Sequence, residues 1–133
     1  MSKYLKMTCV LTIATAICAS LALAQDPVKV APTVYKVLVE NERVRVLEAT
    51  VKPGETVPFH SHPAYSAYFL AGGTARFFSS PTDTGVVVEL KTGVANWSDG
   101  ETHSAKNIGA TTIRLLITEL REPKPAPAPA PSK

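Results

Sequence analysis

From Val34 to Leu120 the apolar residues fall in short runs or at every second position, and no stretch carries a helical stripe. Runs rich in β-branched and aromatic residues predict strands over Val34 to Val39, Arg43 to Val51, Val57 to His62, Ala67 to Leu70 and Thr74 to Ser79. Further strands are predicted over Val86 to Leu90, Val94 to Trp97, His103 to Asn107 and Thr111 to Leu120. Pro53-Gly54, Ala71-Gly72-Gly73, the loop from Pro81 to Gly85, Thr92-Gly93 and Ser98-Asp99-Gly100 supply turns between them. In the second run Val44, Val46, Glu48 and Thr50 alternate with Arg45, Leu47, Ala49 and Val51. Neither face is purely apolar, so this strand is expected to meet other protein on both sides. Many short strands at near-regular spacing predict an all-β sandwich or barrel.

The two ends break the pattern. Lys3 and Lys6, an apolar run and Ala22-Leu23-Ala24 form the charged, hydrophobic and small-x-small regions of a cleaved signal peptide. The run nearly reaches the ~20 residues of a membrane span, but Thr8, Thr12, Thr15 and Ser20 dilute it. The expectation is therefore export to the periplasm or the cell exterior, with no stable membrane anchor after cleavage. Gln25 to Thr33, holding Pro27 and Pro32, reads as an extended arm. The tail from Glu122, EPKPAPAPAPSK, alternates proline with alanine and cannot build a core, so it is expected to be disordered and polyproline-like. It reads as a spacer, as a ligand for another protein, or as an unstructured end. This divides the chain into a leader at 1–24, an arm at 25–34, one barrel domain at 35–121 and a tail at 122–133.

Cleavage changes what composition means. Both cysteines, Cys9 and Cys18, leave with the leader, which excludes a disulfide framework or a cysteine nucleophile from the mature chain. Taking Lys3 and Lys6 from the fourteen basic residues leaves twelve against eleven acidic ones, so the net charge falls from +3 to +1. No basic patch remains, and nucleic acid is not an expected partner.

The chain has three histidines. His60 and His62 are two apart, and on a strand that spacing aims both imidazoles at one point. His103, arriving from a distant strand, would complete a facial set of nitrogen donors suited to a first-row divalent ion.

The same residues resemble the cupin family. Its first motif, G-x5-H-x-H-x3,4-E-x6-G, is followed by Gly54, His60, His62 and Gly73, with Ser66 where the glutamate belongs. Its second, G-x5-P-x-G-x2-H-x3-N, is followed by Gly93, Gly100, His103 and Asn107, with Ser98 for the proline and one residue fewer after Gly93. The resemblance spans Tyr35 to Leu120 and implies a single-domain cupin jelly-roll β-barrel. It also implies one divalent metal on His60, His62 and His103, a small-molecule ligand in the barrel, and a homodimer built through the sheets. Zinc, iron, manganese and copper all accept imidazole. If the protein is an enzyme, the resemblance implies metal-dependent chemistry of the dioxygenase or isomerase kind. Without the glutamate a second reading stands beside this one: a metal-free, degenerate barrel whose histidines are hydrogen-bonded core groups, acting as a binding or structural module.

If His62 and Ser66 face inward, period two sends Tyr68 and Leu70 inward as well. Tyr68 is then the candidate catalytic residue, as a phenol near the ion, against the plainer reading of a space-filling tyrosine. Trp97 reads as core rather than pocket wall, and Phe59, Phe69, Phe77 and Phe78 as packing. Asp99 and Glu101 read as loop carboxylates in solvent that could replace the missing ligand, and Asn107 as a turn-stabilising residue.

Overall fold

The computed structural model describes residues 25–122, so the leader and the tail beyond Glu122 lie outside the described residues. Nine strands follow one short helix: β1 (Tyr35–Glu40), β2 (Val44–Val51), β3 (Thr56–His62), β4 (Tyr65–Ala71), β5 (Gly73–Phe78), β6 (Val86–Leu90), β7 (Ala95–Ser98), β8 (Glu101–Asn107) and β9 (Ile113–Leu120). They form two antiparallel sheets, one of order β1-β2-β9-β4-β7 and one of order β3-β8-β5-β6. Alternation decides which side chains enter the barrel. In β2 the buried residues are Arg45, Leu47, Ala49 and Val51, while the alternate residues are half-buried. The core joins these to Phe69 of β4 and Ile113 and Ile117 of β9 on one sheet, and to Val57, Ala75 and Leu90 on the other.

Residues 25–34 are not the extended arm expected. Pro27–Val30 forms one helical turn (α1), because Asp26 sits at the N-cap and accepts from Val28 N at 2.9 Å, with Pro27 pre-set at the first helical position. Ala31 and Val34 are buried against the barrel, and Ser61 N donates to Gln25 O at 2.8 Å, so this segment covers part of the free edge of β3.

One irregularity sets up the site. In the β3–β8 ladder Val57 faces Ala105, but His60 faces His103, so Pro58 and Phe59 oppose Ser104 alone. This is a β-bulge, and proline, which has no N–H to offer the ladder, is tolerated there. Ser104 Oγ donates to Val57 O at 2.9 Å and holds the bulge closed. Strict alternation from Val57 would bury Phe59 and Ser61. The extra residue shifts the phase, and His60 and His62 turn inward instead.

Candidate metal centre

His60 and His62 on β3 and His103 on β8 come together at one end of the barrel, with candidate ligand atoms all within 4.8 Å of one another. Gly100 helps to deliver His103. Its φ of +111° is left-handed, and a side chain there would meet the His62 carbonyl at 3.2 Å, so glycine lets β8 start close against the end of β3.

Each imidazole is approached from behind at Nδ1. His60 Nδ1 donates to Pro58 O, within its own bulge, at 2.7 Å. His62 Nδ1 donates to Glu119 Oε1 at 2.6 Å. His103 Nδ1 lies 3.1 Å from Glu101 Oε2, an ion-pair distance, yet it has no aligned hydrogen-bond partner and is otherwise an orphaned buried atom. We read this last contact as charge–dipole pairing rather than a formed hydrogen bond. A carbonyl or carboxylate can only accept, so the proton belongs on Nδ1 at His60 and His62, and the charge beside His103 favours the same tautomer. The Nε2 lone pairs of His62 and His103 are then left for the interior, and that of His60 faces the Tyr35 hydroxyl. Burial, reinforced by the neighbouring His103 and His62, pushes His60 down to about 4, which keeps it in the neutral form that ligates.

Behind His62 the polar groups continue to the surface. Glu119 is 2% exposed and takes Arg45 Nε at 2.6 Å, and Arg45 Nη1 reaches Asp26 Oδ2 at 2.8 Å. Arg45 and Glu119 are cross-strand partners, and Glu119 in turn faces Tyr65. Burial alone would raise the Glu119 carboxyl, but the hydrogen bonds from His62 and Arg45 outweigh it and hold the group below its ordinary value. Glu101 is held down to about 2, chiefly by the His103 imidazole and also by the Tyr65 hydroxyl that donates to its Oε1. One contact points the other way. The Tyr35 hydroxyl sits 2.9 Å from His60 Nε2, and burial pushes that phenol up, so it stays a donor into the lone pair an ion would need.

Several residues lie elsewhere than expected. Ser66, Tyr68 and Leu70 face outward; Tyr68 is 44% exposed, while Ala67 and Phe69 of the same strand are buried. Pro63 and Ala64 lie outside the strands and reset the phase, so Tyr65, not Tyr68, is the tyrosine beside His62, with ring centroids 5.1 Å apart. Ser66 is therefore not the position from which a carboxylate could reach the histidines; with the longer spacing that the motif also allows, the in-facing residue is Ala67. Trp97 is not core but 58% exposed at the rim of the cavity. Glu101 is the first residue of β8, beside His103, rather than a loop carboxylate. Asn107 holds the following turn, donating to Val51 O and Thr111 O and accepting from Gly109 N.

Between the sheets lies a cavity of about 370 Å³, bordered at one end by His62, His103, Tyr65 and Glu101. A cupin domain from Bordetella pertussis superposes on this chain with a TM-score of 0.60 and 25% sequence identity, covering 67% of this chain and 93% of that one. The fold is that of the cupins. A double-stranded β-helix protein from Klebsiella pneumoniae (TM-score 0.52, 21% identity, 65% of this chain and 70% of that one) shares this cupin architecture. So does a cupin protein from Methanocaldococcus jannaschii (0.52, 14%, 66% and 79%). The sequence matches no protein-family model and no curated protein.

Proposed function

We propose that this cupin barrel binds one divalent transition-metal ion through His60, His62 and His103 and takes a small molecule into the cavity beside it. The observation that carries the reading is the convergence of three imidazoles whose ligand atoms lie within 4.8 Å of one another, with His60 and His62 anchored from behind at Nδ1 and His103 Nδ1 beside the Glu101 carboxylate. Charge supports it too. The ion-paired set around the imidazoles has three carboxylates, Asp26, Glu101 and Glu119, and one guanidinium, Arg45, leaving −2 for a divalent cation to neutralise. The negative charge that a carboxylate ligand would place inside the coordination sphere stands here behind the imidazoles. A bound ion would supply Lewis-acid polarisation of a ligand oxygen. The chain's own residues hold the imidazoles in place, and burial keeps His60 in its neutral form.

The Tyr35 contact favours the second reading, a metal-free barrel with hydrogen-bonded core histidines. Tyr35→Phe separates the two. It removes the donor that competes for His60 Nε2, so under the metal reading it tightens metal binding by up to about tenfold while lowering the stability of the metal-free protein by about 1 kcal/mol. Calorimetric titration of the chelator-stripped wild type and variant with zinc measures this. A loss of stability with no uptake of metal by either protein rejects the metal reading.

The proposal includes export, supported by the leader pattern of residues 3–24. The intact mass of the exported protein is expected to begin at Gln25; a mass retaining Met1 contradicts it.

A further inference from the structure

We infer that the ligand of this cavity is an uncharged small molecule with an apolar body and one polar end; this deepens the metal-site reading and rests on it for the role of the polar end. Strand register divides the cavity in two. The inward rung nearest the histidines is polar: Arg45, Glu119 and Tyr65 lie side by side across β2, β9 and β4, and Glu101 pairs with His62 across β8 and β3. Toward the other end of β2, β3, β4 and β9 the walls become Val51, Val57, Phe69 and Ile113, joined by Ala75 of β5 and Leu90 of β6. A cavity of about 370 Å³ falls within the roughly 300–1,000 Å³ range of small-molecule sites.

The apolar end offers a charged group nothing. Asn107, its polar wall residue, has its amide N–H groups and its oxygen committed to Val51 O, Thr111 O and Gly109 N. Among the described residues, no lysine or arginine lines the cavity. A carboxylate or ammonium placed there would be desolvated with no partner.

The polar end disfavours an anion for a different reason. Glu101 borders the cavity, and Glu119 stands directly behind His62. The nearest guanidinium, Arg45, is shared between Glu119 and Asp26 and has no free charge to offer a ligand. A divalent ion on the histidines would bring the ion-paired set to neutrality, so an added anion would leave the site with a net negative charge. A neutral oxygen or nitrogen donor leaves none. Tyr65, Asn96 and Ser98 on the adjoining strands are neutral groups of matching polarity.

Two molecules of one shape isolate the charge: 4-methylbenzamide and 4-methylbenzoate. Binding of each is measured by ligand-observed NMR, with the zinc-loaded and the chelator-stripped protein, while metal stoichiometry is read separately by mass spectrometry. The amide is expected to bind at least about tenfold more tightly than the carboxylate, and to shift the amide resonances of Ala75 and Ile113. Glu101→Gln removes one of the repelling charges, so on the chelator-stripped protein it should improve carboxylate binding and narrow the gap several-fold. Melting curves of that variant confirm that it is folded, and the wild-type comparison stands without it. Equal or tighter binding of the carboxylate, or no binding of the amide, overturns the inference. Zero metal stoichiometry instead overturns the metal reading, and the amide preference is still read on the stripped protein.

Discussion

Replacing Glu119 with alanine is expected to cost the metal-free protein about 3–5 kcal/mol and to weaken metal binding about 10–100-fold. Glu119 is 2% exposed and stands between two donors, Arg45 Nε and His62 Nδ1, each at 2.6 Å. Truncation leaves a nearly buried guanidinium facing a gap and releases the imidazole whose tautomer the carboxylate holds. A single domain has only about 5–15 kcal/mol in hand, so Glu119→Ala is expected to stand close to unfolding. Glu119→Gln keeps the shape and removes the charge. Its amide can accept from one neighbour, but its N–H₂ faces the other donor, so a smaller loss of stability is expected together with a clear loss of metal affinity. Urea unfolding of the stripped proteins and calorimetric zinc titration give the two quantities separately. If Glu119→Gln loses stability yet binds zinc within about twofold of wild type, the carboxylate supports the barrel and not the histidine.

Period-two alternation made the strands legible. Each predicted strand has its counterpart, because β-branched runs between Gly- and Pro-containing turns have few other ways to bury their side chains. Phase was harder. Alternation from Val57 would have buried Phe59 and Ser61, and Pro58 is the sign in the chain that a bulge interrupts it. In β4, Ala67 and Phe69 alternate with Tyr68 and Leu70, two apolar sets of equal merit, and the choice between them is made by pairing with β9. Glu119 carried a readable signal, since it continues the series Ile113, Leu115, Ile117 into the barrel, as Arg45 begins the series Leu47, Ala49, Val51. A carboxylate and a guanidinium on inward phases call for partners. That they partner each other, 74 residues apart, is a property of the β2–β9 register and is not written locally. Asp26 before Pro27 has the form of a helix N-cap, which is why the segment read as extended turns once before entering β1.

Alanine at His60, His62 or His103 is expected to remove bound metal in each case, because two imidazoles on a barrel wall do not make a facial set. An ion bound by the folded state alone stabilises it by about 2.7 kcal/mol at a hundredfold excess over its Kd. For a domain of this size that corresponds to a rise of roughly ten degrees or more in Tm. The zinc-loaded wild type should show that rise and none of the three variants should. In the stripped state the variants should differ among themselves. His60→Ala strands Tyr35 and the Pro58 carbonyl, and His62→Ala leaves Glu119 with one donor fewer, whereas His103 has no aligned partner at Nδ1 to lose. His103→Ala should therefore cost the metal-free protein least while costing metal binding as much as the other two. That separation distinguishes a ligand from a core histidine: a core role ties the three losses to the hydrogen bonds each residue makes, and a metal role makes the loss of zinc uniform. Zinc-induced stabilisation that survives in the His103→Ala variant would remove that residue from the site and leave a two-histidine contact on β3.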